Sequence, residues 1–105
     1  MTIEDWREEI DATDEELLRL LNRRAQLAIE VGALKRAAGL PLCDATRERS
    51  IVARLCCANA GPLNNKAVAE LFRLVIRESR RVEARIFETD ADKATTLQQL
   101  AEMRR

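Results

Sequence analysis

The sequence predicts an all-α chain of three helices, the first of them very long, that pairs with a second copy into an intertwined, domain-swapped helical homodimer. Three observations carry this expectation. The chain joins 47% hydrophobic to 34% charged residues with only three Gly and two Pro, one Trp, two Phe and no Tyr, a profile rich in Leu, Ala, Glu and Arg that belongs to helices. Apolar residues recur at three-and-four spacing at Ile3, Trp6, Ile10, Leu17, Leu20, Leu21, Leu27, Val31 and Leu34, the signature of one amphipathic helix. Between Ile3 and Ala38 there is no Pro, and Gly32 is the sole Gly, so nothing breaks a helix of roughly 35 residues and about 52 Å.

That length sets the architecture. A compact domain of this size is only about 35 Å across, so the first helix overshoots it and leaves an apolar stripe for a second copy to cover. Thr2 with Asp5 reads as a capping box at its start, and Gly39 followed by Pro41 as its stop. After a short loop, Leu40 to Cys43, Asp44 reads as the N-cap of a second helix ending near Asn59 to Gly61, with Ile51, Val52, Leu55 and Cys56 on its buried stripe. Pro62 to Asn65 is a turn with Asn64 or Asn65 as cap. A third helix then runs to about Glu88, its inner face marked by Val68, Leu71, Phe72, Val75, Ile76, Ser79, Val82 and Ile86. Residues 1–88 form the expected folded unit. In the tail, 89–105, Leu97, Leu100 and Met103 suggest a short extra helix, but Thr and acidic residues dilute the pattern, and a frayed end fits equally.

Composition narrows the function. Eighteen basic and eighteen acidic residues cancel, which argues against nucleic acid and membrane surfaces as partners. The first residues are charged and no apolar run reaches membrane length, so a cytoplasmic protein is expected. Cys43, Cys56 and Cys57 lack metal-ligand spacing and read as ordinary thiols of a reducing compartment. With no His, His-based catalysis is excluded and no metal site is expected.

Polar residues interrupt the apolar faces at particular places. Arg24 and Lys35 are eleven residues apart, three turns with about 20° of drift, so both point to the side that carries Leu27, Ala28, Val31 and Gly32. Two inward cations call for an anion. Asp44, Arg47 and Glu48 stand at i, i+3 and i+4 on the first turns of the second helix, close in the chain to Lys35, and Ser79 and Glu83 form an i, i+4 pair on the third. Polar groups on inward faces are costly unless matched, so the three clusters are expected to converge on one polar ligand. Arg7 lies seventeen residues before Arg24, about 25 Å along the helix and about 100° around it. It cannot serve the same pocket in its own chain, but an antiparallel pair of long helices could bring it to the partner's. Arg49, Arg54, Arg80, Arg81 and Arg85 are expected on solvated faces.

In this order, the Arg near the start, the string R-x-x-L-A-x-x-V-G-x-x-K, the D-x-x-R-E-R motif and the closing L-F-x-x-x-I-x-x-S resemble the all-α chorismate mutases of the AroQ class, over about Ile3 to Phe87. The resemblance implies an interlocked dimer with two sites that turn chorismate into prephenate on the route to phenylalanine and tyrosine, without a cofactor. It places Arg24 and the partner's Arg7 on the two carboxylates of the substrate. Lys35 falls on a carboxylate and the ether oxygen, Arg47 with Ser79 near the carboxylates, Asp44 with Glu48 on the ring hydroxyl, and Glu83 where the family has Gln or Glu facing the ether oxygen. Lys35, Glu83 and Arg24 are thus the expected catalytic set. An isochorismate-pyruvate lyase is similar in fold and carboxylate clamps, and a non-catalytic helical dimerisation or ligand-sensing domain is the reading from another class. The full set of Asp44, Arg47 and Glu48 favours the mutase.

Overall fold

The computed structural model describes the backbone of residues 1–103, with side chains for residues 1–88 and 99–100. Its elements are three helices: α1 (Ile3–Ala37), α2 (Ala45–Ala58) and α3 (Asn65–Met103). Each boundary has a local cause. At the start of α1 the Thr2 hydroxyl accepts from Asp5 N and the Asp5 carboxylate accepts from Thr2 N, a reciprocal capping box. The Asp5 carboxyl is held below its usual value by that backbone hydrogen bond and the Thr2 hydroxyl. At the end of α1, Gly39 takes a left-handed φ of 70°, while Gly39 N donates to Arg36 O and Leu40 N to Lys35 O at 2.8 Å. Such a Schellman turn satisfies the last carbonyls and favours glycine.

Asp44 caps α2 by accepting from Arg47 N at 3.0 Å. Asn59 organises the turn into α3: its Nδ2 donates to Leu63 O and Asn65 Oδ1, and its Oδ1 accepts from Gly61 N. Of the two candidate caps for α3, Asn64 fills the role, accepting from Ala67 N at 2.8 Å.

The third helix departs from expectation at its far end. Instead of stopping near Glu88 before a separate short helix or frayed tail, the helix continues without a break to Met103. No Gly or Pro follows Pro62 in the sequence, so nothing forces the backbone out of helix once it has started. Leu97 and Met103, two of the three apolar positions expected to line this stretch, lie outside the described side chains, and Leu100 is exposed.

α1 and α2 each pack on α3 rather than on one another. Among the described residues, the buried apolar side chains are Ile51 and Val52 of α2 and Val68, Ala69 and Ile76 of α3, and the buried position of α1 is Gly32. The core therefore belongs to the α2–α3 hairpin. α1 stands out from it, with Trp6, Ile10, Leu17, Leu20, Val31 and Leu34 all 50–72% exposed. The chain spans 73 × 34 × 16 Å with a radius of gyration of 19.6 Å, against about 13 Å for a compact domain of its length. Its accessible surface of 8716 Å² compares with roughly 6,000 Å² for a compact monomer of the same mass.

Candidate active site

Because α1 and α2 meet α3 but not each other, a cleft opens between them with α3 as its floor. It holds a cavity of about 270 Å³. α1 contributes Arg24, Leu27, Ala28, Val31 and Lys35 to its wall, and the loop contributes Leu42. The first turns of α2 add Asp44, Arg47, Glu48 and Ile51, while Ile76, Ser79, Arg80 and Glu83 come from α3. Seven of the eight residues singled out from the sequence thus line one cavity. The eighth, Arg7, is exposed near the other end of α1 and pairs with Glu4 at 2.8 Å, as its helical phase requires. A larger open groove of about 430 Å³ lies between α2 and α3; it shares Glu48 with the cleft and Val52 with the α2–α3 core.

The polar contacts tie the three helices together around this space. Arg24 Nη1 donates to Ser79 Oγ at 3.1 Å, joining α1 to α3. Lys35 Nζ lies 3.4 Å from Leu42 O, a long contact that leaves an ammonium with three donors free to serve a ligand. Among the described residues, Ser79 and Glu83 are the buried polar ones, 5% and 8% exposed. Burial raises the Glu83 carboxyl above its ordinary value, against the opposing pull of Lys35, then Arg80, Arg36 and Arg24. Desolvation disfavours the charged form and nearby cations favour it, and here burial is the larger effect.

Two residues of the site escape a reading from spacing alone. Gly32 packs directly on Glu83: a Cβ added there would stand 3.2 Å from Glu83 Oε2 and 3.4 Å from its Cδ, so the absence of a side chain makes room for the carboxyl. Arg80, expected on a solvated face, instead lines the cavity and donates to Glu48 Oε2 at 2.8 Å across the α2–α3 cleft. The correction has a simple cause: α2 crosses α3 on that flank, where helical phase measured from Ser79 and Glu83 alone would put solvent. Behind the site, the Arg36 guanidinium sits 5.0 Å from the centre of the Phe87 ring, a cation–π contact that fastens the end of α1 to α3.

Residues 6–84 match the family model described as chorismate mutase type II. The chain belongs to the chorismate mutase type II family. The matched stretch takes in Arg7 and the whole cavity lining. Among relatives, the bifunctional chorismate mutase/prephenate dehydratase of Aquifex aeolicus is 36% identical over 88 residues, 80% of this chain and 24% of that protein. The bifunctional enzyme of the same description from Neisseria gonorrhoeae is 43% identical over 77 residues, 73% of this chain and 21% of that protein. The chain therefore spans only about a quarter of the length of these relatives. Among solved structures, chorismate mutase (form II) from Thermus thermophilus superposes with a TM-score of 0.77 at 36% identity, covering 79% of this chain and 94% of that one. The all-helical architecture is common to the family. Among the described residues, no helix is long and apolar enough to cross a membrane.

Proposed function

We propose that this chain is a chorismate mutase, and that the cavity between α1, α2 and α3 folds chorismate into the shape from which it rearranges to prephenate. The observation that carries this reading is the gathering of Arg24, Lys35 and Arg47 in one cavity with a buried carboxyl, Glu83, whose charge is disfavoured. In the reaction one ether C–O bond breaks as one C–C bond forms within a single molecule, with no proton gained or lost. No nucleophile or general base is required. What the site must supply is a grip on two carboxylates, so that the flexible dianion is held with its reacting ends together, and donors for an ether oxygen that grows more negative.

In this reading Arg24 and the partner's Arg7 clamp the two carboxylates, for which a planar guanidinium fork is suited, and Arg47 supports them. Ser79 holds the Arg24 guanidinium in place. Asp44 and Glu48 accept from the ring hydroxyl; Asp44 can do so while capping α2, because the cap uses Oδ1, which accepts from Arg47 N, and a carboxylate has a second oxygen to offer. Lys35 donates to the ether oxygen from one side and protonated Glu83 from the other. A homodimer completes the site, since Arg7 and Arg24 of one chain are too far apart to share a ligand. The large surface and the uncovered apolar face of α1 support a second copy packed along it. Residues 1–88 would then be the mutase unit and 89–105 an appendage to it. The free thiols of Cys43, Cys56 and Cys57 suit a reducing cytoplasm.

The deciding experiment incubates the purified chain with chorismate and, separately, with isochorismate. Loss of chorismate with matching gain of prephenate is expected; release of salicylate and pyruvate from isochorismate alone would make it a lyase, and neither reaction nor binding would leave a helical dimerisation or sensing domain.

Glu83 gives the reading a pH signature. A glutamate donates a hydrogen bond only when protonated, and burial holds this one above its ordinary value, so the active form is the acid form. The turnover rate is expected to fall as pH rises through the Glu83 titration, approaching about tenfold per pH unit on the descending limb. Glu83→Gln keeps a donor at every pH and should flatten the profile. A wild-type rate that stays constant from acid to neutral pH would remove Glu83 from the mechanism.

A further inference from the structure

Arg80 is the cavity cation with no place in the scheme above. Its setting differs from that of the other ion pairs seen: Arg7–Glu4, Arg19–Glu16 and Arg81–Glu78 each join residues three apart on one helix and are at least half-exposed, whereas Arg80–Glu48 joins α3 to α2 with side chains 31% and 27% exposed. Exposed pairs of the first kind contribute little. A half-buried pair that crosses between helices fixes both partners against a neighbouring wall.

Charge gives the second observation. Without Arg80, the cations lining the cavity are Arg24, Lys35 and Arg47, and the carboxyls are Asp44, Glu48 and Glu83. With Glu83 protonated, as the scheme requires, that set carries one net positive charge against the two negative charges of a dianion. Arg80 raises it to two. It also stands three residues before Glu83 on α3, a neighbour on the helix surface. Facing Glu83 from α1 are Lys35, Arg36 and Arg24, and from α2 Asp44, Arg47 and Glu48 line the same cavity.

We propose that Arg80 is a positioning residue of this site, which pins the Glu48 carboxylate in the pocket wall through Oε2, so that Oε1 is turned to the ligand, and which raises the net positive charge of the cavity. The inference rests on the reading of the cavity as a chorismate site. It gives Glu48 a defined role: bare, this carboxylate would repel a dianion, whereas paired with Arg80 it can accept from a hydroxyl without that cost. It also makes Arg80 one of the charges that set the pH range over which Glu83 stays protonated.

The test compares wild type, Arg80→Met and Arg80→Lys in the full chain by two readouts. The first is the Glu83 titration in the protein without ligand, followed by the carboxyl-carbon resonance: its midpoint should be higher in Arg80→Met and return toward wild type in Arg80→Lys, which keeps the charge. The second is steady-state kinetics with chorismate. Arg80→Met should raise KM about tenfold, with kcat at acid pH changed less than about threefold, because the lost interaction serves substrate and transition state alike. The descending limb of the pH profile should move to higher pH with the Glu83 midpoint. Arg80→Lys, lacking the planar fork, should restore the limb but only part of KM. An unmoved Glu83 midpoint in Arg80→Met overturns the proposal whatever the turnover, and so does an unchanged KM in a chain that does turn over chorismate. Wild type that leaves chorismate intact defeats the functional reading instead, and the Glu83 titration then decides by itself whether Arg80 faces the pocket.

Discussion

Replacing Lys35 with alanine is expected to lower kcat at saturating chorismate by about 10²- to 10³-fold, the usual loss when one preorganised donor to a developing negative oxygen is removed. The residue is placed for this. It occupies the last turn of α1, where the exposed carbonyls favour a cation. Among the described residues its ammonium makes one hydrogen bond, to Leu42 O, and that is long at 3.4 Å, so the ammonium is positioned without being satisfied. Its neighbour Arg36 is committed elsewhere, over the Phe87 ring, and cannot step in. The loss should appear mainly in kcat, because the ether oxygen becomes a strong acceptor only as its bond to carbon breaks. Lys35→Arg should not restore it, since a bulky planar fork does not replace a compact point charge at that depth. A Lys35→Ala protein with near-normal kcat and a raised KM would mean that Lys35 merely holds a carboxylate, and the donor to the ether oxygen would have to be sought elsewhere.

How much of this could be read from the sequence depends on whether a feature lies within one helix or between two. The ends of α1 and the starts of α2 and α3 follow from local chemistry at Thr2, Asp5, Gly39, Asp44 and Asn64, and each was legible. So was the cavity side of each helix, because the phase of Arg24 and Lys35, or of Ser79 and Glu83, is fixed by helical geometry alone. Arg80 was not. One residue on from Ser79, it lies about 100° around α3, and only the crossing of α2 on that flank turns a solvated arginine into a partner for Glu48. Gly32 was legible as a small residue on the inner face but not as the space that Glu83 fills, since that depends on how closely α1 approaches α3. The continuation of α3 to Met103 was hidden for the opposite reason. A weak apolar pattern suggests a weak helix, whereas the backbone follows the absence of Gly and Pro.

Arg7→Ala and Arg24→Ala should each lose most activity alone and recover a share of it together. Truncating one partner of a desolvated charge pair costs about 2–5 kcal/mol, which is roughly 30- to 5,000-fold in kcat/KM. Within one chain the two arginines cannot meet on a ligand: about 25 Å of helix separates them, and Arg7 faces solvent beside Glu4. If the partner's Arg7 comes to Arg24 in an antiparallel pair, the two-fold axis must pass near the midpoint of the interval, beside residues 15–16. That arrangement overlaps Ile3 to Ala28 of the two copies and covers Trp6, Ile10, Leu17 and Leu20, which the single chain leaves 52–58% exposed. Thr13 and Leu17 flank the axis on the apolar face, while Glu15 falls on the far side of the helix, so like charges need not meet there. In a mixed dimer, one site would then lack both arginines and the other would lack neither. Co-expressing the two variants gives mixed dimers half of the time under random pairing, so about a quarter of wild-type activity should return. If mixed dimers are isolated by differential tags and remain as inactive as the parents, each site is built from a single chain, and the apolar face of α1 must be covered in another register.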